Sequence, residues 1–471
     1  MKSSLCLFIL LLVTSAPAIN AQIEGTWHAN LDTGNTVIPL VFHFEKTDNQ
    51  LWSGSLDSPK QKMFGLKLDQ VNFKNDSLQL KAKSLGITYN GKLIDEKIDG
   101  LFKQGMFKEN LSLTREEVKA KAKEKKVNRP QEPTPPFNYE IEDVAFINKK
   151  DSITLAGTLT FPKDKTDFPL VVMISGSGAQ DRNSEILDHK PFLVAADYLS
   201  NNGIGVLRFD DRGTAESEGD FSSATSVDFM EDVFAAVQFL KEDKRFKDHK
   251  IGLYGHSEGG MIAPLLADTY KDAVDFLVLL APPAVPIPDL MLKQQALIGL
   301  ASGLDSLEVN RNAKVNRKAY RIINEFEAKD NKKLQDTLQR YFTKVTIEHP
   351  EVVENMGLNK DGYILTMIQA YTNPWMVNFL RHKPEKYLKD LKLPILALFA
   401  ENDLQVAAKQ NEGKMKELIL DSNPLNEVKT FSQKNHLFQT SSTGNLDEYA
   451  EIEETISFEV LEKVKSWIHS L

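Results

Sequence analysis

The chain has 471 residues, of which 41% are hydrophobic and 26% charged, with a formal net charge of −9. These values describe a globular protein long enough for two or three domains. The acidic balance and the absence of a dominant basic block argue against nucleic acid as the principal partner.

Residues 1–21 have the pattern of a signal peptide. Lys2 supplies the positive start, "LCLFILLLV" (5–13) the apolar stretch, and small residues follow, with cleavage expected after Ala21 rather than Ala18. The run is too short to span a bilayer, and no later segment is long enough, so no stable membrane span is expected. Cys6, the sole cysteine, would leave with the leader. The remaining chain would then hold no disulfide, thiolate metal site or cysteine nucleophile. This pattern suggests an exported bacterial protein, periplasmic or secreted.

Residues 22–114 alternate apolar and polar positions in short runs: "VIPLVFHFE" (37–45), "LWSGSLD" (51–57), "FGLKLDQVNF" (64–73), "LQLKA" (78–82) and "LSLT" (111–114). Period-two alternation between Gly, Asn and Asp turns predicts half-buried strands and a small antiparallel barrel or sandwich. The "GTW" at 25–27 suggests a tryptophan plugging one end. A packed accessory domain is favoured over a ligand-holding one. Residues 115–137 then change character. "REEVKAKAKEKK" is charged and helix-prone and "NRPQEPTPPF" is proline-rich. The segment reads as a solvated linker rather than an anionic-surface contact.

From 138 onward, apolar runs alternate with amphipathic segments. "PLVVMIS" (169–175), "GIGVLRF" (203–209), "KIGLY" (250–254), "DFLVLL" (275–280) and "PILALFA" (394–400) read as strands buried on both faces. "VDFMEDVFAAVQFLKED" (227–243), "VAAKQNEGKMKELI" (406–419) and the terminal "ISFEVLEKVKSWIHSL" have helical spacing. Residues 138–471 are therefore expected to form a doubly wound, mostly parallel α/β domain. Residues 286–388 lack strand runs and look helical, which predicts a cap above the C-terminal edge of the sheet. Tyr363, Tyr371, Trp375 and Phe379 are candidates to line a pocket beneath it.

Gly255-His256-Ser257-Glu258-Gly259 fits G-x-S-x-G between a buried strand and a helix, the setting in which that pattern presents a nucleophilic serine. A serine hydroxyl needs a base and a carboxylate to hold that base. Of the downstream histidines, His349 and His382 lie in the cap block and His469 in the last helix. His436 lies in a loop after the strand-like "EVKTF" (427–431). The acid should follow the strand at 394–400, where Asp403 is preferred and Glu401 is the runner-up. The oxyanion hole needs two backbone N–H groups. Glu258 offers one, and "SGSGAQDRN" (175–183) the other, from Ser177 first and Gly178 next. No metal or other cofactor is expected: there is no H-E-x-x-H and the histidines are scattered.

The strand–"GHSEGG"–helix, "SGSGAQDR", "RFDDRGTAESEG" (208–219), "ENDLQV" and "NHLFQ" together resemble bacterial α/β-hydrolase carboxylesterases, some of which carry an N-terminal β domain and a helical cap. The resemblance covers most of residues 138–471. It implies hydrolysis of short- to medium-chain acyl esters of small molecules, with Ser257, His436 and Asp403 as the triad. Ala215 stands where related loops often have glycine, and "SGSG" replaces the more usual "HGSG". Arg182, Asp211 and Arg212 are expected to brace loops through ion pairs. The rival readings are a serine aminopeptidase or oligopeptidase-type hydrolase on the same fold, an acyltransferase, and a non-catalytic binding protein. Nothing in the residues sets the oligomeric state.

Overall fold

The computed structural model describes residues 23–471 except 33–36, 48–50, 60–62, 83–86, 105–106, 117–126, 164, 327–330 and 357. The leader read at 1–21, with Cys6, and much of the charged stretch after residue 115 lie outside the described residues. The chain divides into two compact units, one of Met1–Lys123 with Glu348–Tyr363, the other of Glu124–Ile347 with Ile364–Leu471.

The first unit holds β1 (Gly25–Asp32), β2 (Val37–Lys46), β3 (Trp52–Ser58), β4 (Met63–Lys67), β5 (Gln70–Lys74), β6 (Ser77–Ala82), β7 (Ile87–Ile94), β8 (Lys97–Gln104) and β9 (Phe107–Thr114). They form one antiparallel sheet in the order β4-β3-β2-β1-β9-β8-β7-β6-β5. The sheet curls until its ends meet. The link between its two terminal strands donates from Leu68 N–H to the Gly54 carbonyl of β3 and from Asp69 N–H to the Lys81 carbonyl of β6. The segment read as one strand over 64–73 is thus two, broken at this link. Trp27, Phe42, Phe44, Tyr89 and Phe102 fill the interior. Trp27 is almost fully buried, its Nε1–H donates to the Ile23 carbonyl at 2.7 Å, and the Arg115 guanidinium lies 4.1 Å from its ring centroid. Strands β7 and β8 escape the alternation pattern because "ITYNGKLI" and "KIDGLFKQ" carry central glycines, which dilute it.

The second unit is built on β10 (Tyr139–Asn148), β11 (Ile153–Pro162), β12 (Leu170–Ile174), β13 (Gly205–Phe209), β14 (Ile251–His256), β15 (Phe276–Leu280), β16 (Ile395–Ala400) and β17 (Glu427–Phe431). Their order in the sheet is β10-β11-β13-β12-β14-β15-β16-β17. From β13 onward all pairs are parallel, whereas β10, β11 and β13 pair antiparallel. The hairpin β10–β11 has no continuous apolar run to betray it, because as the sheet's edge β10 turns alternate residues to solvent. Burial on both faces is visible within β12: Leu170, Val172 and Ile174 join one core, Val171 and Met173 the other. Each such side chain contributes about 1.5–3 kcal/mol of burial.

Helices α1 (Pro191–Asn201), α2 (Ser226–Glu242) and α3 (Gly259–Thr269) follow successive strands. Between β15 and β16 come α4 (Ile287–Ala301), α5 (Ser306–Glu325), α6 (Asn331–Glu348), α7 (Pro350–Asn355), α8 (Lys360–Thr372), α9 (Pro374–Arg381) and α10 (Pro384–Leu388). Then come α11 (Ala408–Ile419) and α12 (Phe458–Ile468). Helices α2, α3 and α11 cover one sheet face, α1 and α12 the other. The proline-rich stretch read as solvated linker is fastened to this unit. Arg129 donates to the carbonyls of Leu187, Asp188, Ala450 and Ile452, and Gln131 bonds to the backbone of Thr455 and Ile456. Pairing of side-chain donors with remote carbonyls leaves no trace in composition.

Candidate active site

Parallel strands that end at one sheet edge deliver their following loops to one place. Here β12 leads into Ser175–Gln180, β14 into Ser257, β16 into Asp403 and β17 into His436. Ser257 has φ +56°, a left-handed conformation that a non-glycine residue holds only against strain. Its N–H donates to the Leu280 carbonyl at 2.8 Å, fixing the turn to the neighbouring strand. The turn is possible because a Cβ on Gly255 would meet the Gly259 carbonyl oxygen at 2.2 Å, and one on Gly259 the Ile174 oxygen at 2.2 Å. Strand, serine and helix α3 therefore pack closer than any side chain allows. Pro264 lies buried inside α3, where its missing N–H leaves the Gly260 carbonyl without a helical donor.

His436 donates from Nδ1 to Asp403 Oδ2 at 2.7 Å, and both residues are buried. The other Asp403 oxygen accepts the N–H groups of Gln405 and Val406 at 2.7 and 2.8 Å. This one carboxylate thus shapes its own turn and also holds the imidazole. Burial pushes the Asp403 pKa up, but the His436 ring and the donated hydrogen bonds outweigh it and hold the carboxyl below its ordinary value. Glu401 instead accepts the Gln433 N–H at the surface. The other histidines serve elsewhere: His469 bonds to the Asn202 carbonyl and His382 stacks on Tyr387. His349 faces Glu351.

The loop carrying His436 is held on several sides. Asn435 Oδ1 accepts the N–H groups of Leu437 and Gln439, and the His436 N–H donates to Tyr449 Oη. His256 donates from Nε2 to the His436 carbonyl at 2.9 Å, with ring centroids 4.7 Å apart. Burial first, and then the neighbouring His436, push the His256 pKa down to about 4, so this ring is neutral near pH 7. No sequence signal beyond adjacency to the serine points to His256, and none to Tyr449.

Ser257 and His436 line one cavity of about 270 Å³. Ser257 Oγ is not hydrogen-bonded to the ring in this structure; such contacts commonly tighten only in the Michaelis complex. Gly176, Ser177 and Glu258 also line it, and a Cβ on Gly176 would sit 3.4 Å from Ser257 Cβ. Helix α4 contributes Leu290, Met291 and Gln294, and α9 contributes Trp375 and Phe379, whose rings stack at 5.0 Å. Two of the four aromatic candidates therefore reach the cavity. Tyr363 and Tyr371 are buried but are not among the cavity-lining residues, and Tyr371 stacks on Phe342 and bonds to Asn316.

Arg182 pairs with Asp210 and Glu216, and Arg212 with Asp232 and Asp151. Asp211 braces its loop without an ion pair among the described residues. It accepts Ser175 Oγ at 2.8 Å and the Gln180 N–H at 2.9 Å, and burial pushes its pKa up to about 7. Ala215 has φ +46°, a left-handed conformation that glycine adopts more readily than alanine.

Esterase EstD of Thermotoga maritima is 28% identical over 307 residues, covering 64% of this chain. The chain spans 63% of that relative's length. Among solved structures, Est1E from Butyrivibrio proteoclasticus with ferulic acid bound aligns with a TM-score of 0.41 at 19% identity, over 69% of this chain and 98% of that one. The Pyrococcus furiosus esterase Pf2001 aligns with a TM-score of 0.42 at 16% identity, over 73% and 97%. The family described as serine aminopeptidase, S33, matches residues 190–436, a span that runs from α1 through the strained serine to the histidine loop. With more than half of its length in that match, this chain belongs to the serine aminopeptidase S33 family and has the α/β-hydrolase fold.

Proposed function

We propose that the protein is a serine carboxylesterase acting on short- to medium-chain acyl esters through an acyl-enzyme. The observation that carries this reading is the buried Asp403–His436 pair, joined at 2.7 Å, whose imidazole lines the same cavity as the strained Ser257. With Nδ1–H donated to Asp403, the neutral ring keeps Nε2 as its acceptor. In this reading Nε2 takes the Ser257 proton as Oγ attacks the ester carbonyl. Asp403 holds the tautomer and stabilises the imidazolium. The N–H groups of Ser177 and Glu258 receive the oxyanion, each such donor contributing roughly 3 kcal/mol in comparable enzymes. The alcohol departs, and water attacking with the same base releases the acid.

The family name raises a second reading, an aminopeptidase. Such an enzyme needs an acidic group to bind the substrate ammonium. Among the described cavity-lining residues the carboxylates reduce to Glu258, and both of its oxygens are already occupied by Ser177, Ser226 and Trp375. Leu290, Met291, Phe379, Val406 and Leu437 suit a neutral acyl group. At about 270 Å³ the cavity lies just below the usual range of ligand pockets, roughly 300–1,000 Å³, which favours short chains. The esterase EstD relative favours the same side. The test compares a chain-length series of p-nitrophenyl esters with aminoacyl p-nitroanilides, using Ser257→Ala as control. Ester turnover that survives Ser257→Ala, or anilide turnover that exceeds ester turnover, defeats the proposal. Export completes the proposal, and an N-terminus at Gln22 in the mature protein checks it.

A further inference from the structure

Glu258 directly follows the serine of the elbow, and its side chain has unusual surroundings. The residue is buried, and no cation pairs with its carboxylate among the described residues. Three neutral donors surround it instead. Ser177 Oγ donates to Oε2 at 2.7 Å, while Ser226 Oγ and Trp375 Nε1 donate to Oε1 at 2.6 and 2.8 Å. These donors come from the loop after β12, the first residue of α2, and cap helix α9. Removing an ion from water is expensive unless donors replace the lost water, and the three donors satisfy three of a carboxylate's roughly four acceptor sites, while burial still holds its pKa above the ordinary value.

We propose that Glu258 is a positioning residue for the oxyanion hole: its carboxylate ties the Ser177 loop to Trp375 of the cap helix, and so sets the spacing between the Ser177 N–H and its own. The inference rests on the serine-hydrolase reading of Ser257. The loop concerned is also held by Asp211, through Ser175 and the Gln180 N–H, and Asp211 lines a cavity together with Glu258. The Ser177–Glu258 bond holds it from the side of the nucleophile elbow. One residue thereby supplies one donor through its backbone and aligns the other through its side chain. The cap, through Trp375, is bonded to the same carboxylate that aligns the hole.

The arrangement predicts different outcomes for two shape-conserving replacements. A glutamine can keep its oxygen toward Ser226 and Trp375 and donate its amide to the Ser177 hydroxyl, which accepts as well as donates. A leucine can do neither. The experiment measures kcat and KM for p-nitrophenyl butyrate on the full-length protein. Deleting an oxyanion donor lowers kcat about 10²–10³-fold, and misplacing one should cost somewhat less. Glu258→Leu is expected to lower kcat by about 30-fold with KM within about threefold, and Glu258→Gln to recover most of that loss. Ser177→Ala and Trp375→Phe are each expected to lower kcat by about 3–10-fold, and their combination by less than the product, because both act through one carboxylate. The proposal is overturned by a Glu258→Leu enzyme as fast as the wild type, by a glutamine variant no better than leucine, or by fully multiplicative Ser177 and Trp375 effects. If Glu258→Leu does not fold, the Ser177–Trp375 cycle decides alone. A wild type without ester turnover removes the esterase reading and this inference with it. An active wild type whose variants behave independently removes this inference only.

Discussion

Replacing Asp403 by asparagine tests the site most sharply, because the structure dictates which way the amide must point. One oxygen of Asp403 accepts two backbone N–H groups, from Gln405 and Val406, and the other accepts His436 Nδ1–H. An amide nitrogen facing the two backbone donors would forfeit two hydrogen bonds and set donors against donors. The opposite orientation, with the amide oxygen toward the backbone, keeps both and requires only that Nδ1 become an acceptor. The Asp403→Asn amide therefore donates to Nδ1 and forces the imidazole proton onto Nε2, the atom that must accept from Ser257. A wrong tautomer of this kind lowers kcat by about 10⁴-fold. At 1.36 kcal/mol per tenfold, that is about 5.5 kcal/mol of transition-state stabilisation. Hydrolysis of p-nitrophenyl butyrate measures it, with circular dichroism and Tm confirming that the variant is folded. Glu401→Gln, at the surface, should stay within about twofold of wild type. A folded Asp403→Asn enzyme that keeps more than about a tenth of wild-type kcat would refute the tautomer argument.

Three further outcomes follow from the same geometry. Ser257→Ala and Ser257→Gly should both abolish turnover, but the glycine variant should be the more stable by about 1 kcal/mol, since φ +56° strains only the alanine; equal melting temperatures would contradict the strain. Gly255→Ala forces a Cβ to 2.2 Å from a backbone oxygen and should destabilise by about 3 kcal/mol or more, read as a lowered denaturant midpoint; a wild-type midpoint would mean that the elbow yields. Asp211 keeps its proton in the folded chain up to about pH 7, whereas an unfolded carboxyl releases it near pH 4. Between those values the folded state binds the extra proton, so stability from this group falls as pH rises. Asp211→Asn lacks this titration, and its stability relative to wild type should rise by on the order of 3 kcal/mol from about pH 4 to about pH 7 and level off above; a pH-independent difference would count against the shift.

The buried strands from β12 to β16 were legible because each is a continuous apolar run between breakers, a pattern set by burial on both faces. The elbow was legible for a related reason: the glycines flanking the serine, where an added Cβ would come within 2.2 Å of a backbone oxygen, stand next to it in the sequence between strand and helix. The choice of Asp403 and His436 followed from strand order, since loops after parallel strands arrive at one edge. The edge hairpin β10–β11 and the glycine-bearing β7 and β8 were hidden because half-exposed or side-chain-poor strands lack that run. No local pattern records what the Glu258 carboxylate meets, because its donors lie 81, 32 and 117 residues away. The same holds for Trp375 reaching the cavity while Tyr371 turns toward Phe342. By itself, then, the sequence determined the periodicities, the strained turn and the chemical types brought to the sheet edge, all properties of neighbours along the chain. The tertiary structure alone decided which side chains meet, because hydrogen bonds and cavity walls depend on distances between segments remote in sequence.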